Sequence, residues 1–157
     1  MHCLYKWLLA AALIPAVTLG MTNILAAGPV ENGTALQQDA KKNVVHWVPY
    51  EKGMTMAKTL HKKVYLLFFT DNCRFCKMMD SGTLTDRKVI EALNKNFVPI
   101  RVNSNRQTRL ASSYMVRGLP TAWFLEEDGS KIGCRVGYVP PKTFLNLLDF
   151  VASEGYK

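Results

Sequence analysis

Cys73 and Cys76 are separated only by Arg74 and Phe75. At that spacing two thiols can close into a disulfide and pass a pair of electrons to another one. The run before them, Val64 to Phe69, is short, apolar and β-prone, and reads as a buried strand. Thr70-Asp71-Asn72 follows as a polar turn, and Cys76-Lys77-Met78-Met79 consists of good helix formers. A strand, a turn and a helix opening on Cys-x-x-Cys put Cys73 at a helix N-terminus. Unpaired backbone N–H groups and the positive end of the dipole favour its thiolate there. Cys73 is therefore expected to be the nucleophile. Cys76 is expected to be the resolving thiol that attacks a mixed disulfide on Cys73, so the pair is the candidate redox-active disulfide. Arg74 can stabilise the Cys73 thiolate and Asp71 can oppose it, although Arg74 reads equally as a solvated turn residue. Phe75 reads as a contact for client chains or as an aromatic packed beside the site.

Cys3 falls in an apolar leader, and Cys134 is expected to be a buried, inert thiol. A structural zinc site needs a second ligand pair, which His46 and His61 are not spaced to supply. Met78 and Met79 beside two thiols are compatible with copper handling, but methionine is more commonly a filler of cores. No metal and no other cofactor is expected, since the electrons reside in the cysteines themselves.

The elements that must position the pair are readable in order. Val44 to Val48 looks like a first strand ended by Pro49, and a helix is expected from about Glu51 to Lys62. His61 falls in its last turn, as a cation at a helix end would. After the central strand and the site helix, Ser81-Gly82-Thr83 breaks the pattern. Asp86 is placed to cap a helix carrying Val89, Ile90 and Leu93. Phe97 to Val102 is a strand in which Pro99 implies an edge or an irregular start, and a helix is expected over 106–115. Thr121 to Leu125 and Lys131 to Val136 form a hairpin around Asp128-Gly129. Pro140-Pro141 opens a last helix with the stripe Phe144, Leu147, Leu148, Val151. The order β-α-β-α-α-β-α-β-β-α predicts an α/β fold, a three-layer sandwich with a mixed central sheet flanked by helices.

The chain has 157 residues, 48% of them hydrophobic, enough for one ordinary core. Its formal net charge of +8 suits an acidic protein partner or an anionic surface, and no nucleic-acid motif accompanies it. Lys6 precedes an uncharged run from Trp7 to Ala27 that ends in small residues. Residues 1–27 therefore read as a signal peptide. An uncleaved membrane anchor is the rival, against which Pro15 and the polar residues after it weigh. Residues 28–43 read as a flexible linker and 44–157 as one domain. An exported chain faces an oxidising compartment, periplasmic or extracellular, where such a pair matters as a redox couple.

Together the strand into Cys73-Arg74-Phe75-Cys76-Lys77, the segment Gly118-Leu119-Pro120-Thr121, and the hairpin closing on Gly137 resemble the thioredoxin-fold thiol–disulfide oxidoreductases. The resemblance covers Val44 to Val151, and Trp47, Tyr50, Gly53-Met54 and Ala57-Lys58 are similar to the exported bacterial branch that includes the C-terminal domain of the membrane electron exporter DsbD. It implies a cis proline at Pro120 beside the cysteines, and a client strand held by Leu119 and Pro120, to which Phe75 reads as a further contact. It also implies disulfide-bearing exported clients, a membrane electron donor of the DsbD type, and a monomer. The alternative is a non-catalytic module that holds a metal or a client on the same scaffold. Two positions depart from the family pattern. Asn72 stands where thioredoxins carry tryptophan, and Leu67 stands where they bury a proton-shuttling acid. Leu119 resembles the isoleucine of reducing members, and no histidine lies between the cysteines, so electron flow toward clients is expected.

Overall fold

A computed structural model describes residues 44–157; the expected signal peptide (1–27) and linker (28–43) lie outside the described residues. Its elements are α1 (Tyr50–Leu60), β1 (Lys63–Phe69), α2 (Arg74–Ser81), a 3₁₀ turn (Thr83–Thr85), α3 (Arg87–Asn96), β2 (Phe97–Asn103), α4 (Thr108–Ser113), β3 (Thr121–Leu125), β4 (Lys131–Val136) and α5 (Pro141–Ala152). The four strands form one mixed sheet in the order β2-β1-β3-β4. The crossover through α2 and α3 makes β2 parallel to β1, whereas β3 and β4 run antiparallel. This is the expected sandwich.

β1 is buried on both faces because helices cover both, which explains its unbroken apolar sequence. Tyr65 and Leu67 face a core built with Met79 of α2, Val89 and Leu93 of α3, and Phe144 and Leu148 of α5. Val64, Leu66 and Phe68 face Ala57 of α1 and Ala111 of α4 on the other side. Gly53 lets α1 sit close on the sheet, since a Cβ there would overlap the Ile100 side chain. The register brings the ends that matter together: Phe69 lies opposite Asn103, Phe68 opposite Thr121, and Thr121 opposite Val136. Every loop leaving those strand ends therefore emerges at one end of the sheet.

Several local expectations are met. The Asp86 carboxylate accepts the amides of Lys88 (2.9 Å) and Val89 (3.1 Å) at the start of α3. Asp86→Ala should cost about 1 kcal/mol, as loss of such a cap does. The check is the urea midpoint, which should fall at unchanged slope; an unmoved midpoint would show that water replaces the cap. Gly129 takes the positive φ that the β3–β4 turn needs, at 92°. Pro99 lies in an edge strand, with its carbonyl accepting the Val48 amide.

Three expectations need correction. Residues 44–48 are not a strand but an extended segment making a single bridge, Val48 to Ile100. Pro99 accepts from Val48 but has no N–H to return, so the ladder cannot grow past it. The helix expected over 106–115 is only Thr108–Ser113, cut short where Met115 turns left-handed at φ 52°. Cys134 is exposed. It lies on the outer strand β4 opposite Trp123, and the six-residue α4 leaves that part of the face uncovered. Among the described residues no helix is long and apolar enough to cross a membrane.

Candidate active site

The turn after β1 delivers Cys73 to the N-cap of α2. Its amide donates to the Thr70 carbonyl, and its carbonyl accepts the Lys77 amide that begins the helix. Cys73 and Cys76 are joined as a disulfide with their Cα atoms 5.2 Å apart. The Cys76 amide points at Cys73 Sγ, 3.1 Å away. In the reduced protein that N–H, at the positive end of the helix, is a fixed donor to the Cys73 sulfur and favours its thiolate. Burial distinguishes the two sulfurs. Cys73 is half-buried, while Cys76 is 3% exposed on the inner side of the first turn.

The first turn is held rigidly from below. Met79 is fully buried in the core, and Asp80 receives the Arg101 guanidinium of β2 at 2.7 Å. Arg101 in turn lies over the Phe69 ring, 4.0 Å from its centroid, with Trp47 on a second side at 5.6 Å. This clamp ties the site helix to β1 and β2, and no local sequence pattern announces it. Its one trace in the sequence is a charged residue inside the otherwise apolar run Phe97 to Val102.

The second half of the site comes from the start of β3. Leu119–Pro120 is a cis peptide, Pro120 is buried, and its carbonyl accepts the Gly137 amide at 2.7 Å. Thr121 Oγ1 closes the turn by donating to the Gly118 carbonyl at 2.7 Å. Leu119 and Thr70, the residue that opens the turn to Cys73, line one cleft of about 480 Å³ with Ser104 and Ala111. The neighbouring Tyr114 hydroxyl meets that of Tyr50 at 3.0 Å. Burial first, then this contact, pushes the Tyr114 phenol upward, so it stays protonated.

The remaining candidate residues are placed as follows. Arg74 and Phe75 are exposed on the outside of the first turn, Phe75 at 53%. Asp71 is turned toward β2, accepting from Asn103 Nδ2 at 3.3 Å and Arg106 Nη2 at 3.5 Å. Leu67 is fully buried in the core cluster that contains Met79. Of the two methionines, Met79 is core and Met78 is 40% exposed.

An accessible sulfur with a fixed donor and a shielded sulfur one turn on can exchange between dithiol and disulfide in an ordered way. Limiting iodoacetamide on the reduced protein should label Cys73 well ahead of Cys76, read by peptide mapping that resolves both from Cys134. Early label on Cys76 would reverse the assignment.

A DsbD thiol:disulfide interchange protein of Photorhabdus laumondii is 29% identical over 120 residues, covering 69% of this chain and 20% of that protein. This chain thus spans about a fifth of that relative's length. Among solved structures, a thioredoxin from Thermus thermophilus superposes with TM-score 0.65 at 28% identity, covering 72% of this chain and 90% of its own. The oxidised C-terminal domain of Neisseria meningitidis DsbD gives TM-score 0.55 at 29% identity, covering 63% and 90%. A thioredoxin-like domain model matches residues 50–152, well over half of the sequence and all of the elements just described, so the chain belongs to the thioredoxin-like family.

Proposed function

We propose that the protein is an exported thiol–disulfide oxidoreductase that reduces disulfides in other exported proteins. The supporting observation is the asymmetry of the pair: Cys73 is accessible and bonded by the Cys76 amide, Cys76 is shielded, and the Leu119–Pro120 turn emerges at the same sheet end. The Cys73 thiolate attacks one sulfur of a client disulfide, forming a Cys73–client bond and releasing the other client sulfur as a thiolate. Cys76 then loses its proton and attacks Cys73 Sγ. That step closes the Cys73–Cys76 disulfide and releases the second client thiol, so two electrons have passed to the client. Leu119 and Pro120 hold the client strand, Phe75 offers it an apolar contact, and Arg74 and Asp71 tune the thiolate in opposite senses. A membrane donor of the DsbD type returns the electrons, and residues 1–27 and 28–43 serve as export signal and linker to a monomeric domain.

Reduction of a model disulfide with dithiol as the electron source tests the activity, since a module that only holds a metal or client would not turn over. Equilibration with glutathione tests the direction. A reductant should sit near −270 mV, the thioredoxin value, whereas a potential near −120 mV would make the protein an oxidant.

A further inference from the structure

We infer that the surface around the cysteine pair selects client disulfides flanked by acidic residues; this rests on the reductase reading above and names its substrate class. At the sheet end where Phe69, Asn103, Thr121 and Val136 align, the chain exposes Arg74, Lys77, Arg106, Arg109, Arg117 and Arg135. These six cations come from separate segments: the first turn of α2, the β2–α4 loop, the start of α4, the loop before Pro120, and β4. The loops between them carry one acid, Asp71, which Arg106 already approaches at 3.5 Å. Among the described residues, the ion pairs involve none of Arg74, Lys77, Arg109, Arg117 or Arg135. Acidic residues gather elsewhere: Glu126, Glu127, Asp128 and Glu154 line a cavity with Lys63 at the opposite end of β1.

Arg135 lines a cavity beside Phe150 of α5, and two further clefts lie at this end. Arg117 borders both the 480 Å³ cleft shared by Thr70 and Leu119 and a second one of about 450 Å³ walled by Met115, Trp123 and Val136. Clefts of that size take an extended peptide on either side of a disulfide, whereas a bilayer presents a flat face. Five of the six cations are arginines, whose forked guanidinium pairs with a planar carboxylate through two hydrogen bonds. One sign of charge around a cleft raises the encounter rate with the opposite sign and repels its own. A client whose cysteines are flanked by Asp and Glu is therefore drawn to Cys73, and one flanked by Lys and Arg is turned away.

Three peptides of equal length, each with one disulfide flanked by acidic, neutral or basic residues, test this in single-turnover reduction by the full reduced chain. Versions with the cysteines replaced by alanine are titrated for binding alone. The acidic peptide should react and bind better than the basic one by on the order of tenfold at low salt, and the ratio should collapse at about 0.5 M salt. Charge reversal at Arg109 and Arg117 together should erase or invert it; should that variant not fold, Arg117→Glu alone should lower it. Equal rates for all three peptides, with turnover intact, overturn the inference and leave the reductase reading standing. No reduction of any peptide defeats the reductase reading, and the binding titration then decides this one by the same ratio. Binding of phosphatidylglycerol vesicles or of a single-stranded oligonucleotide, without preference among the peptides, assigns the face to a membrane or to nucleic acid and overturns it.

Discussion

Cys73→Ser should abolish disulfide reduction, down to the uncatalysed background, while Cys76→Ala should stop the reaction halfway with the client still attached. Both follow from the unequal surroundings of the two sulfurs. Cys73 is the sulfur a client can reach, and it is the one that accepts the Cys76 amide at 3.1 Å. A serine hydroxyl there has a far higher pKa than a thiol and no comparable nucleophilicity. Cys76, 3% exposed, cannot take over as the attacking group without opening the first turn of α2. Its alanine variant still attacks a client through Cys73 but has no thiol to displace it, so the mixed disulfide accumulates and dithiothreitol releases it. Cys73→Ser removes no fully buried bulk and Cys76→Ala only a single buried sulfur, so both variants should keep the wild-type circular dichroism. The measurement is non-reducing electrophoresis of Cys76→Ala with oxidised clients, followed by identification of what is linked. A stable adduct on Cys76 in Cys73→Ser, and none on Cys73 in Cys76→Ala, would exchange the two roles.

The parts of this site legible in the sequence are those in which local chemistry and the fold agree. The apolar run Val64 to Phe69 is a strand because helices cover it on both faces, and Cys73 caps a helix because the residues behind it favour one. The stripe of α5 and the Asp128-Gly129 turn belong to the same class. What was illegible depended on neighbours distant in sequence. Val44 to Val48 has strand composition, but the strand it meets is an edge whose proline gives nothing back. Cys134 sits in a run with strand alternation, yet an extra residue at Ile132 shifts the register against β3, and the strand lies outside the cover of α4. The Arg101–Asp80 clamp joins residues 21 apart in sequence. No local pattern pairs them, and only the parallel crossover brings β2 beneath the site helix.

Leu67→Asp should speed the resolving step and at the same time weaken the fold. Before Cys76 can displace the client from Cys73 it must lose a proton. In the core around it Leu67 and Met79 are each 1% exposed, and among the described residues no carboxylate is buried. The proton must therefore leave toward solvent, and the step should quicken about tenfold per pH unit while Cys76 remains mostly protonated. A carboxylate at position 67, on the face that carries Met79 one turn beyond Cys76, supplies an inner acceptor and should flatten that dependence. The cost is large. Removing a buried leucine side chain costs about 2–5 kcal/mol, and a buried carboxyl adds more or answers by raising its own pKa. Arg101, opposite position 67 across β1 and β2, offsets part of this, but it is already engaged by Asp80. The sign of the pH effect follows from the raised pKa. The folded state holds the new proton more tightly than the unfolded chain does, so the variant is least handicapped below about pH 4 and loses stability as pH rises toward the pKa of the buried acid. Leu67→Asn separates the two effects, because it carries the same shape and a similar packing loss without a titratable proton. Faster client release in the aspartate variant alone, measured from a preformed mixed disulfide across pH, would establish that proton transfer limits the natural enzyme. Identical release rates and pH slopes in both folded variants and the wild type would show that solvent already removes the Cys76 proton faster than the sulfurs exchange.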